Sequence, residues 1–328
     1  MTLRAIVTGS GGYLPERILT NEELSRTVDT SDEWIRARTG IGERRIAAAD
    51  EVTSDLAVNA ARDAMAEAGV GPGDVDLVIV ATTTPDRTFP ATAAIVQAKL
   101  GVENGAAFDV QAVCCGFVFA LATAANFLAA GSHKRALVIG AETFSRIVDW
   151  TDRATCVLFG DGAGAMVLEA QDIDVDPDAP AAARGLIATE IRTDGRLADL
   201  LYVDGGVSST GTAGQVRMQG NRLFRQAVDR IANAMVTVAE RARIAPADVD
   251  WFVPHQANER ILNGVVDRLA LRRDCVVSTI AGHGNTSAAS IPLAYTTARR
   301  DGRIKTGDLI MIEGLGGGLT WGAGLFRA

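Results

Sequence analysis

The chain has 328 residues, 48% hydrophobic and 22% charged, with only 5% aromatic. That balance supplies a sizeable core, in one large domain or two of ordinary size, and excludes general disorder. With 32 basic against 40 acidic residues and a formal net charge of −8, the chain offers no basic field to nucleic acid, and any anionic ligand must be held by a local patch.

Cys114, Cys115, Cys156 and Cys275 lack the spacing of a disulfide framework, and neither a C-x-x-C pair nor an H-E-x-x-H motif occurs. No metal site is expected. The N-terminus lacks the apolar stretch of a secretory signal. The longest weakly polar run, Cys114 to Ala130, carries Gly116, Thr123 and Asn126 and falls short of the ~20 apolar residues of a membrane span. It reads as a buried helix, and the expected location is cytoplasmic, without membrane association.

In chain order, the first apolar strand runs into Gly9-Ser10-Gly11-Gly12-Tyr13-Leu14-Pro15. A dinucleotide-binding loop needs glycine where Leu14 stands, and a helix where Pro15 follows. The clusters around Gly160–Gly164 and Gly314–Gly318 miss the spacing or lie too near the chain end. These glycines read instead as tight turns and close backbone approaches, which can still offer N–H groups to an anion.

Residues 52–69 read as an Ala-rich helix. Residues 68–80, AGVGPGDVDLVIV, are echoed at 242–254, ARIAPADVDWFVP. Each copy gives a helix end, a Pro-containing turn and a buried strand. A weaker echo relates ALVIGAE (136–142) to LIMIEG (309–314). Between the copies, the acidic and Pro-rich segment 171–185 reads as a surface connection. Two similarly built α/β halves are expected, 1–172 and 173–328, with buried sheets in layers.

Three segments can carry chemistry. In 108–131 a β-like stretch, Phe108 to Val113, leads into Cys114, Cys115 and a long helical run. A cysteine at a strand-to-helix junction meets unpaired N–H groups and the positive end of the helix dipole, which lowers a thiol pKa. The competing reading makes both cysteines small buried hydrophobes. In 251–260 an apolar strand ends in Pro254-His255-Gln256-Ala257-Asn258, placing an imidazole where α/β sheets put their ligands. In 281–300 a Gly-rich turn holds Asn285, which alone would pass for a turn or cap residue.

Together these segments resemble the β-ketoacyl-acyl-carrier-protein synthases of type III. The likeness runs from SDEWIRARTGI (31–41) to GGGLTWGAGLFR (316–327). Its motifs are C-x-G-F at Cys114 to Phe117, HQAN at His255 to Asn258, and GNTSAAS at Gly284 to Ser290. The resemblance implies a thiolase-like five-layer αβαβα fold of two duplicated halves, and a homodimer. It implies that Cys114, His255 and Asn285 are catalytic and that the N–H groups of Cys114 and Gly317 form an oxyanion hole. Trp34, Arg38 and Arg153 match CoA-binding positions, Phe89 a residue that lines the primer pocket across the dimer, and Arg225 and Arg260 a carrier-docking patch. The expected reaction is condensation of an acyl-CoA primer, acetyl or short-chain, with malonyl-acyl carrier protein, without cofactor or metal. One departure stands out: Cys115 occupies a place where the family usually has Ala or Ser. A starter-unit synthase or acyltransferase of specialised metabolism would share the same three residues.

Overall fold

β-branched runs become strands and Ala-rich runs become helices in the computed structural model, which describes residues 2–328. The strands are β1 (Thr2–Tyr13), β2 (Arg17–Thr20), β3 (Glu43–Ile46), β4 (Leu77–Ala81), β5 (Ala106–Val110), β6 (Arg135–Glu142) and β7 (Gly162–Ile173), followed by β8 (Gly185–Thr193), β9 (Leu201–Val203), β10 (Val216–Met218), β11 (Trp251–Pro254), β12 (Leu309–Gly316) and β13 (Thr320–Arg327). The helices are α1 (Asn21–Leu24), α2 (Asp32–Thr39), α3 (Thr53–Ala68), α4 (Thr92–Leu100), α5 (Gly116–Ala129), α6 (Arg153–Cys156), α7 (Gly220–Arg241), α8 (Glu259–Leu269), α9 (Ile280–His283) and α10 (Ser290–Arg300).

Two main sheets result, in the orders β1-β7-β6-β4-β5 and β11-β12-β13-β8. The first uses only residues up to 173 and the second only residues from 185, with a largely exposed segment between. Three apolar cores set the layers. One packs α3 and α4 against the first sheet through Leu56, Ala60, Val80 and Val96. A second lies between the sheets, where Phe117 and Leu121 of α5 and Ile291 and Ala294 of α10 meet Ile79 and Val138 on one side and Val253 and Ile312 on the other. The third packs α7 and α8 on the far face of the second sheet through Ile231, Met235, Val265 and Met311. Helices, sheet, helices, sheet, helices: five layers, each sheet buried on both faces.

The repeated sequence becomes a repeated structure. In both copies a 3₁₀ turn (Pro72–Asp74, Pro246–Asp248) separates the helix from the strand. Asp74 accepts the Gly71 N–H at 2.8 Å, and Asp248 accepts the Ala245 N–H at 2.8 Å. The second aspartate of each D-V-D clamps the neighbouring strand: Asp76 takes the Arg135 N–H at 2.9 Å, and Asp250 the Leu309 N–H at 2.7 Å. Strand register then fixes the correspondence, because Leu77 faces Ala136 while Trp251 faces Ile310. Of the early glycine cluster, Gly9 and Gly11 are where β1 presses on α3, so that a Cβ would strike the Ala64 and Ala60 carbonyls.

Among the described residues no helix is long and apolar enough to cross a membrane.

Candidate active site

β5 stops at Val110, three residues earlier than the sequence pattern suggests. Its partner β4 ends at Ala81, opposite Val110, and two residues on the backbone turns at Ala112 and then at Val113, whose φ of 50° is left-handed; a β-branched residue there is strained. The chain turns through a 3₁₀ step, Val113–Cys115, and enters α5 at Gly116. The turn is held by the Cys115 N–H donating to the Ala112 carbonyl at 3.1 Å and by Thr320 Oγ1 donating to the same oxygen at 2.9 Å. β12 passes directly beneath. A Cβ on Gly316 would lie 2.7 Å from the Cys114 nitrogen, and one on Gly314 3.1 Å from Cys115 Cα.

His255 follows β11, and its backbone N–H donates to the Glu313 carbonyl at 2.9 Å. Gln256 fixes the bend by donating to the Pro254 carbonyl at 2.8 Å and accepting the Thr279 N–H at 2.8 Å. Asn258 caps α8, accepting from the Arg260 N–H. Asn285 is held by exchanging backbone hydrogen bonds with Leu158 and Gly160. Its Oδ1 accepts the Ser287 N–H at 2.9 Å, which leaves the Nδ2 end of the amide free to donate.

These three residues, distant in sequence, come together. Cys114, His255 and Asn285, each at most 5% exposed, line one cavity of about 360 Å³. Its walls are largely apolar, from Val157, Leu201, Leu223, Ile231 and Leu315 among others, and they also include Trp34 and Arg38. Cys115, fully buried, packs instead into the core between the sheets.

Ser31 caps α2 by accepting the Trp34 N–H, and one turn later Arg38 lies over the indole at 4.4 Å. Arg153, at the start of α6, covers the same ring at 4.9 Å and donates to the Asp29 carbonyl at 2.7 Å. The indole is thus already flanked by two guanidiniums, a cation–π arrangement. Arg260 sits at the cavity's edge, 5.8 Å from the Phe224 ring, and Arg225 is exposed on α7. Arg230, further along α7, is half-buried, pairs with Asp194 and covers Trp321. Phe89 does not line the cavity; it is 82% exposed on the loop before α4.

Electrostatics corrects one expectation. The helix terminus suggests a lowered thiol pKa, but burial pushes Cys114 up to about 12, a hydrogen bond with Ser287 pulling it down and the Glu142 charge adding to the rise. Desolvation outweighs the helix end because the sulfur has almost no contact with water. Cys115 is driven up more strongly by burial. Burial lowers His255 to about 3, so its imidazole is neutral across the physiological range; neither ring nitrogen has a hydrogen-bond partner among the described residues. Two buried carboxyls complete the site. Glu313 lines the cavity and is raised by burial to about 8, its Oε2 without a partner among the described residues; Glu142 is raised by burial to about 7. The sequence reading missed both, together with Ser287. A carboxylate inside the otherwise apolar runs ALVIGAE and LIMIEG was the available signal.

Two family models match the chain: 3-oxoacyl-[acyl-carrier-protein (ACP)] synthase III over residues 108–195, and the C terminal of the same family over residues 239–328. A β-ketoacyl-[acyl-carrier-protein] synthase III of Hyphomonas neptunium is 58% identical over 327 residues, spanning 100% of both chains. The chain belongs to the β-ketoacyl-acyl-carrier-protein synthase III family. Among solved structures, the family's Aquifex aeolicus VF5 member superposes with a TM-score of 0.92 at 45% identity, covering 99% of this chain and 100% of that one. The priming β-ketosynthase of the R1128 polyketide pathway gives the same TM-score at 34% identity, covering 99% and 96%. The fold is therefore that of the thiolase-like condensing enzymes, and membership makes the chain an acyl-transferring synthase.

Proposed function

We propose that the chain condenses an acyl-CoA primer, acetyl or short-chain, with malonyl-acyl carrier protein, giving CO2 and the 3-oxoacyl-acyl carrier protein that begins fatty acid synthesis. The observation that carries this reading is the single cavity in which a sulfur, a neutral imidazole and an oriented carboxamide meet, lined also by the indole and guanidinium of Trp34 and Arg38. The Cys114 sulfur attacks the primer thioester carbon, the carbon–sulfur bond to CoA breaks, and an acyl-cysteine remains. Malonyl-acyl carrier protein then enters. Its carbon–carboxylate bond breaks, and the electron pair moves into the thioester as an enolate. His255, as an N–H donor, and Asn285 Nδ2 stabilise that oxygen; one such donor contributes ~10²–10³-fold in rate. The enolate carbon attacks the acyl carbon, the tetrahedral oxygen is met by the Cys114 and Gly317 N–H groups, and the sulfur leaves.

The neutral state of His255 supports this role, because an imidazole that burial keeps unprotonated donates through N–H without delivering a proton to the enolate. An adenine base would displace one guanidinium and stack on Trp34, with Arg38 and Arg153 as anchors. Arg225 and Arg260 supply local positive charge for an acidic carrier protein. The exposure of Phe89 supports its burial against a second copy, as a homodimer with a shared primer pocket requires. The scheme needs neither cofactor nor metal, and its substrates place the work in the cytoplasm. The specialised-metabolism reading is less favoured, since the R1128 enzyme is 34% identical and the synthase III of Hyphomonas neptunium 58%. Incubation with acetyl-CoA and carboxyl-labelled malonyl-acyl carrier protein tests the proposal. Labelled CO2 and 3-oxobutyryl-carrier protein are expected; acyl loading without CO2 release contradicts it.

A further inference from the structure

Glu142 ends β6 in complete burial, and among the described residues no basic side chain pairs with it. Its carboxylate is held by neutral donors: Thr84 Oγ1 at 2.7 Å, the Thr83 N–H at 3.1 Å, and Ser287 Oγ, which donates to Oε1 at 3.0 Å. The turn that carries Ser287 packs against the turn that carries Cys114, and the Ser287 hydroxyl is near enough to act on the acidity of the Cys114 thiol. A charge without a counter-charge in a core is costly, which calls for a use. Ser287 adds a second sign. Its φ is 49°, left-handed like the 50° of Val113, and the two residues open the matching 3₁₀ turns that lead into α10 and α5. The turn shape is therefore common to both halves, whereas the hydroxyl belongs to one.

We propose that Glu142 holds the proton that Cys114 gives up on acylation, receiving and returning it through the Ser287 hydroxyl, and so serves as a positioning residue for the nucleophile. The proposal rests on the acyl-cysteine reading above. On acylation the Cys114 S–H bond breaks as sulfur–carbon forms; that proton passes to Ser287 Oγ, whose own proton moves to the Glu142 carboxylate. CoA leaves as a thiolate and takes a proton from solvent. On condensation the acyl carbon–sulfur bond breaks, Ser287 protonates the Cys114 thiolate, and Glu142 restores the Ser287 proton. One proton is consumed per turnover, as loss of CO2 from a carboxylate requires. A carboxyl raised to about 7 by burial can take and give a proton near neutrality.

The groups facing Glu142 from the end of β4 and from the Ser287 turn are uncharged hydroxyls, and the titratable group opposite is Cys114. Asp161, before β7, is taken up by the Ser145 N–H and hydroxyl and by the Ala47 N–H, and Glu313 acts on Cys115 from the other sheet.

The test is the rate of Cys114 alkylation by iodoacetamide, and of its acetylation by acetyl-CoA, each followed by mass from pH 5.5 to 9. In the wild-type chain both rates rise through an inflection near pH 7. Glu142→Gln, which still accepts the Ser287 hydroxyl, is expected to lose that inflection and to react ~10²-fold more slowly at pH 8. Ser287→Ala is expected to do the same and carries the test if Glu142→Gln does not fold. Variants that keep the wild-type inflection, whether slowed or not, overturn the proposal alone. A wild-type chain that alkylates but takes no acetyl group at Cys114 overturns both the proposal and the function beneath it.

Discussion

At the end of β4 the chain reads Val80-Ala81-Thr82; at the end of β11, in matching register, it reads Pro254-His255-Gln256. On the adjacent strands Ile139 faces Val80 where Glu313 faces Pro254. By the same register Glu142 corresponds to Gly316, and by its left-handed first residue the turn Val113-Cys114-Cys115 corresponds to Ser287-Ala288-Ala289. Each half keeps the Asp clamp and the Pro turn, which are framework, and differs where strands and helices point into the interface. One half supplies sulfur and the Glu142 carboxyl; the other supplies imidazole, carboxamide, hydroxyl and the Glu313 carboxyl. Duplication provides two stable supports facing each other, and divergence at a few inward positions fills the space between them with unlike groups.

The comparison can be broken at those inward positions. Replacing His255 or Asn285 with Ala should slow condensation ~10²–10³-fold while Cys114 still accepts an acyl group, measured by single-turnover product formation and by mass. Equal loss of both steps would mean that the second half does more than hold the enolate.

The framework is tested at the equivalent glycines of β6 and β12. A Cβ on Gly140 would collide with the Ala288 carbonyl, whereas on Gly314 its nearest neighbour would be Cys115 Cα at 3.1 Å. Gly140→Ala should destabilise by about 3 kcal/mol and Gly314→Ala by about 1 kcal/mol, read from denaturant unfolding. Equal costs would deny that the two turns are packed differently.

Glu313 sharpens the same contrast, because its counterpart is Ile139. Its carboxyl is raised by burial to about 8, so the folded chain holds a proton that the unfolded chain releases above the ordinary carboxyl value of about 4.5. Stability present below 4.5 is then lost as pH rises through 8. Relative to wild type, Glu313→Gln should gain on the order of 5 kcal/mol between those limits, seen in unfolding curves across pH. A pH-independent difference would contradict the burial argument. The smallest effect is expected at the surface: Arg225→Ala or Arg260→Ala should raise KM for malonyl-carrier protein roughly threefold, ~1 kcal/mol or less per rim charge, and leave acetylation by acetyl-CoA unchanged.

Much of this arrangement was legible in the sequence. The repeated P-x-D-V-D carried the two halves, because the aspartates serve the same backbone groups in both. The motifs around Cys114, His255 and Asn285 pointed to three residues that share a cavity. What the pattern could not give was environment. The Cys114 thiol sits at a helix entrance, as expected, but almost fully buried, and burial reverses the direction of its pKa. Strand β5 ended early because its partner β4 stops at Ala81 and the chain then turns through a left-handed Val113 that no propensity signals. Glu142 and Ser287 escaped notice because one looked like the polar end of a strand and the other like a turn serine. Their bond to each other, 145 residues apart, exists only once the halves meet.

The central claim is that the first half's buried turn presents the acyl acceptor to groups of the second. It is tested most directly by exposing the wild-type chain, Cys114→Ala and Cys115→Ala to acetyl-CoA and locating the acetyl group by peptide mass. Acetyl on Cys114 in the wild type and in Cys115→Ala, and none in Cys114→Ala, is the predicted result. Acetyl on Cys115, or loading that survives Cys114→Ala, would contradict it.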